Sequence, residues 1–318
     1  MTKFLLLAPI FHKAEKMIKN NNPFILLGLA LSLGIASCGG SETDEKEMTD
    51  PDMGKIDTTS NMNLNIGGKM FSIPSPFLTA TMIKNSGASF NSSLLNQVGN
   101  KDNYSTNFHK ALNLGIYGAD LGYLTIYEKT DDAPALISAV QKMADELGMG
   151  AAFNKDLIDR FTNNLENKDS LMVLVSDAYT EGDKFLKNND KNDIAGLILA
   201  GGWIEALYFS TSATAEKKSS DLIARIGEQK ATLDNLIQLL ETYGNDESYS
   251  NLANELKDLY SEFENVQFNY TFNEPETVAD KNLTIVKCKT TVNLTDENLK
   301  AISEKIKNIR QQIVEASL

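Results

Sequence analysis

The sequence predicts a mostly all-α protein, a multi-helix bundle or stack of helical hairpins around two glycine-bearing buried helices, with a small β accessory near residues 268–292. Three observations carry that reading. Apolar residues recur at helical spacing through most of the 318-residue chain. Two stretches, 106–129 and 194–210, are apolar around most of their circumference, which marks helices buried on every side. Only Phe268–Phe272 and Leu283–Val292 alternate or concentrate β-branched residues strongly enough to read as strands.

In chain order, the first feature is an apolar run from Phe24 to Ala36, preceded by Lys19 and three asparagines and closed by Ile35-Ala36-Ser37-Cys38-Gly39-Gly40. It falls short of the ~20 residues that span a bilayer. It fits the apolar segment of a secretory signal peptide with a basic stretch before it. Its ending resembles the lipobox of bacterial lipoproteins, which implies cleavage before Cys38 and acylation of that cysteine. An earlier apolar patch at Phe4–Phe11 suits a signal poorly, so translation from Met17 is expected. The expected organisation is a signal peptide over 1–37, the lipidated cysteine and a disordered acidic tether over 38–63, and one helical domain over 64–318.

Cleavage would remove four lysines and one glutamate, taking the net charge from −13 to −16. That balance excludes nucleic acid as a partner, because phosphate binding rests on lysine and arginine. Membrane attachment must then come from lipid rather than a basic patch. With Cys38 acylated, Cys288 is left without an intramolecular partner. His109 becomes the only imidazole, so histidine metal sites and histidine-dependent catalytic triads are not expected, nor any cofactor.

The tether, beginning Gly39-Gly-Ser-Glu-Thr-Asp-Glu-Lys-Glu, is too polar to bury a core. An acidic run in this place resembles the surface-export signal of Bacteroidota lipoproteins, and a plain solvated linker accounts for it equally well. Gly39, by the same kind of resemblance, disfavours retention in the inner membrane. Asp57-Thr58-Thr59 and Asp169-Ser170-Leu171 resemble the short O-glycosylation pattern of that phylum, making Thr58 and Ser170 candidate acceptors.

Leu64–Ile73 reads as a short hairpin or as extended chain, ended by Pro74 and Pro76. Beyond it run helical stripes: Leu136, Val140, Met143 and Leu147, then Leu252, Leu256, Leu259, Phe263 and Val266, then Leu299, Ile302, Ile306, Ile309 and Ile313. Asn154, Asp169 and Thr295 stand where N-caps belong, and Gly244 stands where a helix ends. The two strand-like stretches pair with each other or with Leu64–Ile73.

The stretch 106–129 holds Gly115, Gly118 and Gly122, and 194–210 holds Gly196, Gly201 and Gly202. Each interior glycine costs about 1 kcal/mol relative to alanine. That cost suits places where two backbones approach closely, so these helices are expected to cross. A shift of 85 residues aligns Asp120 with Glu205 and Tyr123 with Tyr208; duplication and chance explain it equally well.

Asp120 and Glu205 are the sharpest chemical candidates, each a lone acid on an apolar helix. A buried carboxylate needs a partner, and a raised pKa suits proton-linked work. With Trp203, Tyr123 and Tyr208 they form the candidate binding set. Asn188–Asp193 has some acidic spacing of a calcium loop but lacks its glycine and its terminal glutamate. Gly201-Gly202 lacks the strand and the lysine of a phosphate loop. No catalytic residues are assigned.

The runs Lys110-Ala-Leu-Asn-Leu-Gly-Ile-Tyr-Gly-Ala-Asp-Leu-Gly-Tyr123 and Gly201-Gly-Trp-Ile-Glu-Ala-Leu-Tyr208 resemble an uncharacterised helical lipoprotein family of Bacteroidota, a resemblance that brings no activity with it. The expected protein is a non-enzymatic interaction or scaffold protein, lipid-anchored in the outer membrane on its periplasmic face or at the cell surface, with an unknown envelope protein as partner. The alternative is a solute- or peptide-binding lipoprotein with its pocket between helices 106–129 and 194–210.

Overall fold

The computed structural model describes residues 61–66, 69–74, 76–278, 283–285 and 289–318. The signal segment, Cys38, the tether up to residue 60, Thr58 and Cys288 lie outside the described residues. Within them the fold is mostly helical with a small antiparallel β accessory, as the periodicity predicts.

Two strands come first, β1 (Asn61–Ile66) and β2 (Lys69–Pro74), paired antiparallel from Asn61↔Pro74 to Ile66↔Lys69. The hairpin alternative therefore holds over plain extended chain. Helix α1 (Pro76–Asn85) follows, and a stretch with two 3-10 turns leads into α2 (Asn107–Ile126). The Thr106 hydroxyl caps α2 by accepting from the His109 amide. Then come α3 (Ala133–Glu146), α4 (Lys155–Asn163), α5 (Lys168–Asn188), α6 (Asn192–Glu216), α7 (Ser220–Glu241) and α8 (Glu247–Phe263). Strands β3 (Gln267–Thr271), β4 (Glu276–Val278), β5 (Leu283–Ile285) and β6 (Lys289–Asn293) precede the last helix, α9 (Asp296–Val314).

β3 pairs with β6 and β4 with β5, both antiparallel, so the two strand-like stretches pair with each other. They form a nested ribbon, and every residue of β3 is exposed. Gly227 on α7 makes room for its root. A methyl group there would collide with Val292 of β6 and lie 3.2 Å from Val266.

Capping follows the sequence at two of three places. Asn154 caps α4 by accepting from the Leu157 amide, and Thr295 caps α9 by accepting from Asn298. Asp169 does not cap α5. Asn167 does, accepting from the Ser170 amide, and Asp169 sits in the first turn, where its charge still suits the helix dipole. Gly244 is also displaced: α7 ends at Glu241 with Thr242 as its C-cap, and Gly244 closes the following turn on the Glu241 carbonyl. Asn188–Asp193 is the turn between α5 and α6, with Asp190 in the left-handed region at φ 56° and no side-chain cap on α6.

α2 and α6 form the centre of the core and its most extensive helix pair. α6 is long and apolar enough to cross a membrane by length and composition, yet most of it is buried within the protein. The remaining helices lay their stripes against this pair. Leu252, Leu256, Leu259, Phe263, Ile302, Ile306, Ile309 and Ile313 are all buried.

Candidate functional site

The crossing of α2 and α6 rests on glycine. A methyl group at Gly115 would run into the Ile198 carbonyl and lie 2.7 Å from the Gly202 amide nitrogen. One at Gly201 would run into the Leu112 carbonyl. The backbones touch, so only hydrogen fits at these two positions. That contact sets the depth at which Asp120 and Glu205 meet.

Both carboxyl groups are fully buried, at 0% exposure, which leaves no water-sized space beside either. They converge on each other and on Arg310 of α9. The Arg310 guanidinium grips Glu205 with two hydrogen bonds, Nε to Oε2 and Nη2 to Oε1, each 2.9 Å. It also donates to the Leu94 carbonyl at 2.9 Å and lies 5.0 Å above the Tyr208 ring. Asp120 Oδ2 accepts from the Asn96 amide at 3.1 Å, while Oδ1 meets no donor. Burial first, and then the Glu205 charge beside it, push Asp120 well above its ordinary value, with Arg310 pulling the other way. Burial alone would lower Arg310, but the Glu205 carboxylate holds it above its usual value. Arg310, Glu205 and Asp120 thus form one buried cluster at the crossing.

Its partners explain its position. The stretch between α1 and α2 is irregular and partly buried, and its backbone needs partners. Arg310 takes the Leu94 carbonyl and Asp120 takes the Asn96 amide. Around them the Asn96 side chain donates to Tyr104 at 3.0 Å and to Asn113 at 3.1 Å. Asn113 and Tyr104 in turn donate to the Ile313 and Val314 carbonyls at the end of α9. Tyr117 donates to the Gln97 carbonyl at 2.9 Å. The network ties one loop to three helices.

The other candidate residues are dispersed. Trp203 is buried and donates to Gln229 on α7 at 3.1 Å. Tyr123 stacks on Phe90 and Phe209, with ring centroids 5.4 and 4.6 Å away, and accepts from the Asn91 amide. Tyr208 joins the Arg310 cluster. Ser170 lies in the first turn of α5, half-buried, its amide engaged by Asn167. Among the described residues no group of three or more His, Cys, Asp or Glu side chains stands ready to hold a metal.

Sequence reasoning missed Arg310. The available signal was its place on the edge of the α9 stripe, four residues after Ile306 and three before Ile313, and its rarity as one of three arginines. It also missed an apolar opening. A cavity of about 100 Å³ lies among α2, α3, α4, α5 and α6, walled by residues such as Leu121, Ile137, Phe161, Val175 and Ile198. Tyr179 of α5 also lines it, and its hydroxyl oxygen would lie 2.7 Å from a methyl group on Gly118.

Comparison of the chain with protein-family models, curated proteins and solved structures finds no match.

Proposed function

We propose that this chain is an acylated cell-envelope lipoprotein of the Bacteroidota type, anchored through lipid on Cys38 to the outer membrane, whose helical body serves as a non-enzymatic interaction module. The anchor reading rests on Ile35-Ala36-Ser37-Cys38 and the apolar run before it. The interaction reading rests on one observation. Among the described residues the exposed large hydrophobic side chains are Phe268, Tyr270 and Phe272, at 46%, 64% and 64% exposure. Spacing of two along an extended chain turns all three to one face. Aromatic residues gathered on the surface of a folded domain mark a contact site, because aromatics supply much of the binding energy at protein interfaces. The partner is an envelope protein, and the acidic balance argues against nucleic acid.

The test has two parts. Cys38→Ser should move the protein from the membrane to the soluble fraction, and continued sedimentation with membranes would refute the anchor. A photo-crosslinking residue at position 270 should give a discrete adduct in intact cells, absent when the crosslinker replaces exposed Lys300 on α9. Equal adducts at both positions, or none at 270, would refute the interaction face.

A second reading, solute binding, is favoured by the cavity. It abuts both α2 and α6, although the wall is apolar and is not formed by the carboxyl pair.

A further inference from the structure

We infer that the cavity among α2, α3, α4, α5 and α6 binds a small, neutral, mostly hydrocarbon molecule with one oxygen acceptor, and that this oxygen takes the hydrogen bond of the Tyr179 phenol. The inference rests on the solute-binding reading and names the class of solute.

The cavity opens to the surface between the helices, so a small molecule can enter it from solvent. At about 100 Å³ it holds far more than the roughly 10–15 Å³ that admits one water. Water is nevertheless a poor occupant. A buried water needs two to four polar partners, and this wall is almost wholly aliphatic and aromatic. An apolar concavity favours apolar guests, whose entry removes its wall from water.

One polar group lines the space without a protein partner. The Tyr179 hydroxyl makes no hydrogen bond to protein among the described residues; the side chain is half-buried, and its loss of solvent contact pushes the phenol above its ordinary value. Glycine at 118 lets the oxygen settle against α2. An apolar guest in the pocket would displace the water that can reach this phenol and leave its O–H without an acceptor. A ligand carbonyl, ester or ether oxygen satisfies it.

Charge sets the remaining limit. Asp183 is the ionisable residue with a carboxylate on the wall, and Lys187 is paired with it, so no unengaged cation waits there for an anion. An anionic ligand would meet Asp183 and a strongly acidic protein. Neutral molecules meet neither obstacle.

The test uses the purified full chain with three probes: 2-nonanone, toluene and octanoate. 2-Nonanone and toluene should bind with saturable affinity by calorimetry, and octanoate at least tenfold more weakly than 2-nonanone. Tyr179→Phe should weaken 2-nonanone about five- to tenfold, the scale of one hydrogen bond, and leave toluene within twofold. Gly182→Leu adds bulk toward Met149 and Phe153 and should abolish binding of both, with circular dichroism confirming the fold. Absence of binding by 2-nonanone and toluene alike would overturn the solute-binding reading and the inference with it. Binding of both with no effect of Tyr179→Phe would overturn the ligand class alone. Octanoate binding as tightly as 2-nonanone would also overturn it.

Discussion

The two sides of the α2–α6 crossing are built on opposite terms. Toward α9, two carboxyl groups are sealed in the core against a mostly buried arginine, and almost every polar atom has a partner, down to the carbonyls at the end of the helix. Toward α5, the lining is apolar, the packing leaves an open cavity, and the half-buried Tyr179 hydroxyl makes no hydrogen bond to protein among the described residues. The difference separates two meanings of a perturbed titratable group. A raised carboxyl can mark a functional site, but here Asp120 has no space beside it and holds a loop amide through Oδ2, so it serves structure. The emptier, less charged side is where the molecule has room to bind.

The contrast breaks most readily at Arg310. Removing one partner of a buried ion pair strands the other, a loss of about 3–5 kcal/mol. Arg310→Met should therefore lower stability by that order in urea unfolding, while Tyr179→Phe on the opposite side should change it by less than about 1 kcal/mol. Equal losses would mean the two sides do not differ as described.

The glycine contact comes next. Gly201→Ala places a methyl group against the Leu112 carbonyl, which a backbone cannot yield without the helices separating. Overpacking of this kind costs about 1–3 kcal/mol or more, against a helix-propensity gain of about 1 kcal/mol. A net loss in melting temperature is expected, and a gain would refute the close crossing.

A smaller effect concerns pH. The folded protein binds a proton at Asp120 more tightly than the unfolded chain does, so this contribution is fully present below the ordinary aspartate value of 3.8. It declines as pH rises from there through the raised folded value. Asp120→Asn keeps a neutral side chain and lacks that titration. The stability of the wild type minus that of Asp120→Asn should therefore fall as pH rises from the ordinary aspartate value and flatten above the raised folded value. A difference that rises with pH would mean Asp120 is ionised in the fold.

The smallest effect belongs to the ribbon. Changing Phe268, Tyr270 and Phe272 together to serine should alter stability by only about 0.5 kcal/mol per exposed position, because β3 is exposed throughout. A large loss would make the aromatics part of the fold rather than a contact face.

Much of this was legible from residue spacing. The all-α class, the stripes of α3, α8 and α9, the caps at Asn154 and Thr295, and the glycine-mediated crossing follow from local periodicity and from what glycine permits. Asp120 and Glu205 stood out as lone acids on apolar helices. Arg310 did not, since its partner lies 105 residues away and long-range pairing leaves no local periodicity. The Asn96 and Asn113 network hides for the same reason. The cavity was illegible because it is space left between five helices, and its wall residues have the same apolar character as filled core.

The most direct test of the division between the two sides is methyl NMR of the full chain titrated with 2-nonanone. Shift changes should be confined to Ile137, Val140, Ile158, Val175, Leu186, Ile198 and Leu199 around the cavity, with Ile302, Ile306 and Ile313 of α9 unmoved. Perturbation centred on α9, or a spectrum that does not change at all, would contradict the account.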